Sequence, residues 1–390
     1  MKKFFYVAIA ATALASCSSD NLVDLKEGDE IKFTAVADND SRADSIFCNN
    51  NKMGQFELYA AVNEKTFING EVYAKTGSVY STTAKRYWPE YDAVDFYALH
   101  NQGTFTWAPA ATDPNPVASG EFTPATSVLA QKDFVYAVKK GVVKPANGHV
   151  ALNFRHALSQ IEFQAKNQNP DLKIEILDVK VGNALSTAAY TLPASTDGNI
   201  VNHDLNATPE SGSYPGAVIT WSSWAADGSN TSYTFGAEFG TAKTLEDTEE
   251  TLTLGTPETD YAKSMLLLPQ STTAWTTTVK TGTYLAVKVR IWNVSGTVET
   301  LIYGDADGDK TVDEGEGRWA AVPVAFNWEP GKKYVYTFNF TNGGNAGYED
   351  DENGEPDVTP VLVPLTVDVT VDDFVEAAGQ PVDKEMETEE

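Results

Sequence analysis

The sequence predicts an all-β protein made of two tandem antiparallel β-sandwich domains. Three observations carry that reading. Apolar residues recur with a period of two in many short segments, turns rich in Gly, Pro, Asn and Asp separate those segments, and no stretch carries a convincing helical period. In "TYLAVKVRI" (283–291), Leu285, Val287, Val289 and Ile291 share one face opposite Tyr284, Lys288 and Arg290, the pattern of a half-buried strand. The chain's 390 residues favour two domains of ordinary size over one.

At the N-terminus, Lys2 and Lys3 precede an apolar run from Phe4 to Leu14, much shorter than the roughly 20 residues a bilayer span needs. A basic start, a short apolar core and small residues before a cut site read as a bacterial secretory signal over residues 1–16. Leu14, Ala15, Ser16 and Cys17 match a lipobox, in which the cysteine thiol is diacylated and becomes the new N-terminus. The plain alternative is an ordinary signal peptide with a chance cysteine. If Cys17 carries lipid, Cys48 is the sole remaining thiol and no internal disulfide can form.

Further on, "IKFTAVADNDSRADS" (31–45) reads as a short strand with Ile31, Phe33 and Ala35 on one face, then a polar, arginine-bearing linker. Strands follow at "FELYAAV" (56–62), "VDFYALH" (94–100) and "DFVYAVKKGVV" (133–143). The Pro-, Asn- and Gly-rich "KPANGH" (144–149) marks the expected boundary between an N-terminal sandwich at 43–148 and a C-terminal one at 149–376. Beyond it lie "SQIEFQAKN" (159–167), "LKIEILDVKVGN" (172–183), "SYTFGAEF" (232–239) and "KYVYTFNF" (333–340). In "LKIEILDVKV" the apolar phase slips between Ile176 and Leu177, which predicts a bulge or a strand changing sheets. The glycine-rich, then acidic segment 342–360 reads as a loose loop. "VPLTVDVTVDDFV" (363–375) follows, with Leu365, Val367, Val369 and Val371 on one apolar face, before an acidic tail at 377–390.

With 28 basic and 55 acidic residues, the chain carries a net charge of −27. Such a field repels polyanions, which excludes nucleic acid and anionic membrane surfaces as charge-selected partners. His100, His149, His156 and His203 form no zinc-spaced cluster, no nucleophile elbow, phosphate loop or dinucleotide fingerprint occurs, and Cys48 has no nucleophile motif around it. The expectation is a non-enzyme without an organic cofactor. One segment, "DADGDKTVDEGE", places Asp305, Asp307, Asp309, Asp313 and Glu316 at calcium-loop positions, which nominates Ca²⁺ as a cofactor. Against it stand Lys310 where the sharp turn wants glycine and the lack of flanking helices; the alternative is a solvated acidic hairpin loop. Trp221 and Trp224 offer either a platform for sugar rings or, the favoured reading, a cap on a sandwich core.

Seven motifs in order, the lipobox at Cys17, "IKFTAV…SRA", "RYWPEYDAVDFYALH" (86–100), "LNFRHALSQIEFQAKN" (152–167), "MLLLPQ" (265–270), "WEPGKKYVYTFNF" (328–340) and "LTVDVTVDDFV" (365–375), resemble the fimbrillins, or type V pilins, of Gram-negative anaerobes, in their minor-fimbria-like branch. The likeness covers nearly the whole mature chain. It implies two transthyretin-like β-sandwich domains, export to the outer membrane as a lipoprotein acylated on Cys17, and removal of the first strand by an arginine-specific protease. Carried over residue by residue, the cut falls between Arg42 and Ala43, the segment 17–42 holds the lipid and the removable strand, and Leu365, Val367, Val369 and Val371 become a donor strand for the next subunit. The residue-level alternative for Arg42 is a solvated loop cation. The implied partners are other fimbrial subunits (further copies, a tip or an anchor), the protease, the outer membrane through the lipid, and a host or bacterial surface receptor. The rival function is a glycan-binding surface lipoprotein that keeps its lipid and uses Trp221 and Trp224.

Overall fold

A computed structural model describes residues 30–37, 53–109, 117–146, 148–196, 218–222, 230–234, 242–252, 264–305, 308–309, 311, 313, 316–341, 347–350, 356–361 and 365–373. Among them there is no α-helix, and one 3-10 turn at Val128–Ala130. The chain is all-β.

The first strands are β1 (Lys32–Ala37), β2 (Gln55–Val62), β3 (Lys65–Thr76), β4 (Val79–Ser81) and β5 (Val94–His100). β6 (Thr104–Ala108) and β7 (Val117–Phe122) form a hairpin outside this group, and β8 (Val135–Val142) and β9 (His149–His156) rejoin it. The result is a closed barrel in the order β1-β4-β3-β2-β5-β8-β9. Local chemistry sets its turns: β2 and β3 are joined through Asn63 and Glu64, both at positive φ (48° and 62°), as a two-residue hairpin with native twist requires. Its interior is aromatic, with Phe33, Phe56, Tyr73, Tyr80, Phe96 and Phe154 all buried.

β1 closes the barrel. It runs parallel to β9, from Lys32 opposite His149 to Ala37 opposite Phe154, and meets β4 antiparallel where Phe33 faces Tyr80. The stretch 144–149, expected as a domain boundary, is instead the turn between β8 and β9. Hairpin turns and linkers share the same Pro, Asn and Gly chemistry. β9 therefore belongs with the barrel, and the change of sheet falls at Ala157 and Leu158.

The second half contributes β10 (Ser159–Asn167), β11 (Leu172–Leu185), β12 (Ala188–Thr191), β13 (Thr220–Ser222), β14 (Asn230–Thr234), β15 (Lys243–Thr244), β16 (Glu250–Thr251) and β17 (Ser264–Leu267). It continues with β18 (Tyr284–Ser295), β19 (Val298–Tyr303), β20 (Arg318–Pro323), β21 (Lys332–Phe340), β22 (Gly347–Asp350), β23 (Pro356–Val361) and β24 (Leu365–Asp373). One sheet has the order β16-β10-β21-β24, with β17 also on β10. It packs against β14-β11-β18-β20-β22-β23 around a core that includes Phe163, Val179, Val287, Phe326, Trp328 and Phe338. The sheets are not wholly antiparallel, because β10 pairs parallel with β21 as β1 does with β9. The predicted bulge is present: the register of β11 against β18 shifts between Ile176 and Asp178.

A third layer joins the two halves. β6 and β7 from the first half and β12 and β13 from the second make one four-stranded sheet. It covers the outer face of the barrel, where Tyr97, Leu99, Phe134 and Tyr136 meet Tyr190 and Leu268. That explains why 96–99 in β5 and 135–138 in β8 are continuous apolar runs: both faces of those stretches are covered. β8 and β9 pair only at Val135 with His156 and Tyr136 with Arg155. Thr196 fills the gap beyond, its N–H donating to the Val138 carbonyl and its Oγ1 accepting from the Val138 N–H, both at 2.8 Å.

Candidate functional site

The sequence singles out both ends of the chain, and the structure gives each end a distinct environment. At the first, β1 and the residue that leads into it place Ile31, Phe33 and Ala35 toward the barrel interior, with Phe33 wholly buried. The Phe33 ring lies 5.1 Å from Tyr73 and 5.1 Å from Phe96, both at 85°, and 5.9 Å from Phe56 at 81°. All three are edge-to-face contacts, the favoured geometry for aromatic rings. The strand's entry is pinned by the Ile31 N–H donating to the Arg86 carbonyl at 2.7 Å and by a bridge from Glu30 to Tyr87. Arg86 is itself held by a charge-assisted pair with Glu71. Alternation in "IKFTAV" announces Phe33 as an inward residue. Nothing in the sequence announces its aromatic neighbours, which come from three other strands.

At the other end, β24 is the outermost strand of its sheet and pairs with β21 from Phe340 opposite Leu365 to Lys332 opposite Asp373. Leu365 is buried and Val367 packs against the core. Val369 and Val371, on the same apolar face, are 51% and 56% exposed. Half of the predicted donor face is thus seated in its own core and half is open.

The other predicted sites divide by position. Cys17, Arg42, Ala43, Asp307 and Trp224 lie outside the described residues. In the 305–316 loop, between β19 and β20, the carboxylates of Asp305, Asp309 and Glu316 bond to loop backbone. Asp305 accepts from the Gly308 N–H at 2.6 Å, Asp309 from the Thr311 N–H at 2.7 Å, and Glu316 from the Asp313 N–H at 2.9 Å. The Thr311 hydroxyl and N–H hold the Asp309 carboxyl below the usual range. From β18, Arg290 donates to the Glu316 carbonyl at 2.6 Å and to the Asp313 carbonyl. Among the described residues no three His, Cys, Asp or Glu side chains are placed to share a metal ion.

Trp221 is partly buried and packs against the core beneath the third sheet, as a cap rather than a platform. Its Nε1 donates to the Ala157 carbonyl at 3.1 Å, and its ring packs on Phe134 and Tyr190. Sequence reasoning missed a buried pair, His156 Nδ1 to Asp133 Oδ2 at 2.6 Å; burial pushes the Asp133 carboxyl upward and His156 opposes that. It also missed a cleft of about 430 Å³ of mixed lining, with Glu57, His100, Gln102 and Lys132 beside Phe56, Leu99 and Phe122, at the junction of barrel and third sheet. Within it, Gln102 donates to Glu57 at 2.7 Å.

Comparison with known proteins adds a likeness over most of the chain. Residues 23–360 match the model of a family described as Fimbrillin-like. Among solved structures, one described as a proposed cell adhesion protein from Bacteroides uniformis is 14% identical, covers 90% of this chain and 100% of its own, and has a TM-score of 0.42. Another so described, from Parabacteroides distasonis, is 10% identical over 89% and 99% of the two chains at a TM-score of 0.45. A fimbrial assembly protein from Parabacteroides distasonis is 9% identical over 87% and 98% at 0.34. No curated protein matches.

Proposed function

Because this chain belongs to the Fimbrillin-like family, whose model matches residues 23–360, we propose that it is a fimbrial subunit that acts in adhesion and polymerises by strand exchange. In this reading it reaches the outer membrane surface as a lipoprotein acylated on Cys17. An arginine-specific protease cuts between Arg42 and Ala43 and frees the segment that carries β1. Its two halves correspond to the tandem transthyretin-like units of such pilins, and its role is mechanical rather than catalytic.

The observation that carries this reading is that β1 is the strand that closes the barrel. Its loss bares the edges of β4 and β9 and the aromatic interior around Phe33. Unpaired edges and exposed apolar surface are both costly in water, and a foreign strand lodged there removes both costs at once. At the far end, β24 has β21 as its one partner among the described strands, so its donation breaks one ladder. A contact between one end and a groove elsewhere is heterologous, and such contacts build fibres. Trp221, packed partly buried against the core beneath the third sheet, offers no support to the glycan-platform alternative.

N-terminal sequencing of protein extracted from the cell surface tests the reading. The expected result is a mature start at Ala43 in oligomers that resist mild denaturant. Surface material that still carries Ile31 to Arg42 in such oligomers overturns it.

A further inference from the structure

Resting on the strand-exchange reading above, we infer that the place β1 leaves is shaped for a strand bearing an aromatic ring. Its natural occupant is then the terminal strand of a different pilin, not that of a second copy of this chain. From the residue that leads into β1, the inward side chains run large aliphatic, aromatic, small: Ile31, Phe33, Ala35. The middle position is a slot for a flat ring, with Tyr73, Phe96 and Phe56 meeting Phe33 edge-to-face on three sides. The next inward position holds a methyl.

The apolar face of this chain's own terminal strand is Leu365, Val367, Val369 and Val371. In every register, parallel or antiparallel, the residue entering the Phe33 slot from that face is Leu or Val. At the register that fills the slot, a second branched side chain also meets the position of Ala35. The strand is therefore too small at one position and too large at the next, and packed interiors penalise both faults. The nearest ring, Phe374, does not rescue the fit. Alternation puts it in phase with Asp372, Thr370 and Asp368, so burying it would bury those polar groups too. The home seat of β24 adds to the mismatch, because Leu365 and Val367 already serve the core of their own sandwich.

The test uses the full chain with a specific protease sequence inserted after Arg42, so that nicking does not depend on Arg42 itself. The nicked protein is incubated with labelled peptides in excess: resident strand 30–37, that strand with Phe33→Val, native 363–375, and 363–375 with Val367→Phe or Val369→Phe. Displacement of the fragment that precedes the inserted site is followed by mass spectrometry, and peptide release by the loss of label. The resident peptide should be retained, and its Phe33→Val form should leave at least tenfold faster. Native 363–375 should likewise leave at least tenfold faster than the better of its two Phe forms. Equal half-lives for native and Phe forms overturn the aromatic requirement and leave strand exchange standing. Retention of no peptide, the resident one included, overturns strand exchange and this inference with it.

Discussion

Replacing Phe33 by Ala in the uncut chain should loosen the barrel at its closing seam. Phe33 is fully buried and touches three rings edge-to-face, so the substitution loses both transfer energy and aromatic contacts. Buried Phe→Ala changes cost about 3–5 kcal/mol, and each ring pair contributes about 0.5–1.5 kcal/mol beyond area burial. The barrel's walls belong to several strands, so collapse around the cavity is limited and a value near 4 kcal/mol is expected. At about 1.4 kcal/mol per factor of ten, opening of the seam becomes at least about a hundredfold more frequent. Hydrogen–deuterium exchange read by mass spectrometry should show protection lost by that factor in β9 (His149–His156), which pairs with β1 along its length. Thr34→Ala, on the outward side of the same strand, should change exchange little, within about 0.5 kcal/mol. If Phe33→Ala leaves β9 as protected as Thr34→Ala does, the seam is held by backbone pairing alone and the slot argument fails.

Other outcomes are expected as follows. Val369→Asp and Val371→Asp change exposed side chains, so the monomer should melt within about 0.5 kcal/mol of the parent, yet mixed oligomers with other fimbrial subunits should shorten on native gels, because the chain can still accept a strand but no longer donate one; mixed oligomers of unchanged length would refute the donor assignment. Thr196→Val removes the hydroxyl that accepts from the Val138 N–H and leaves a buried donor unmatched, which should cost about 1–3 kcal/mol in calorimetry. Burial raises the Asp133 carboxyl above its ordinary value near 3.8, so its stability contribution is present below that pH and is lost as pH rises through the raised value. Melting from pH 3.5 to 7.5 should accordingly show the wild type losing ground to Asp133→Asn with rising pH, and parallel profiles would contradict this.

What could be read along the chain was whatever depends on near neighbours. Alternation exposed the strand at Leu365 to Val371, and a broken alternation at Ile176 and Leu177 located the β11 bulge, because both signals are written within a few residues. Sheet partners are not written that way. Nothing in "IKFTAV" or "HVALNFRH" says that these strands lie side by side, or that they run parallel. "KPANGH" misled because a hairpin turn and a domain linker need the same residues. Thr196 looks like any loop threonine until the gap between β8 and β9 is seen. The aromatic walls of the Phe33 slot were invisible for a similar reason, since β2, β3 and β5 each supply one ring.

The parallel seam between β1 and β9 also has a mechanical meaning. Its six paired positions, Lys32 with His149 through Ala37 with Phe154, are strung along the strand direction. A pull along that direction strains all of them together, whereas a pull across it would part them one after another. Tension along the axis is therefore shared by the whole seam, and Phe33, wedged among three rings, acts as a detent against sliding. Any strand that comes to occupy this position inherits a joint that yields to peeling from one end far sooner than to traction.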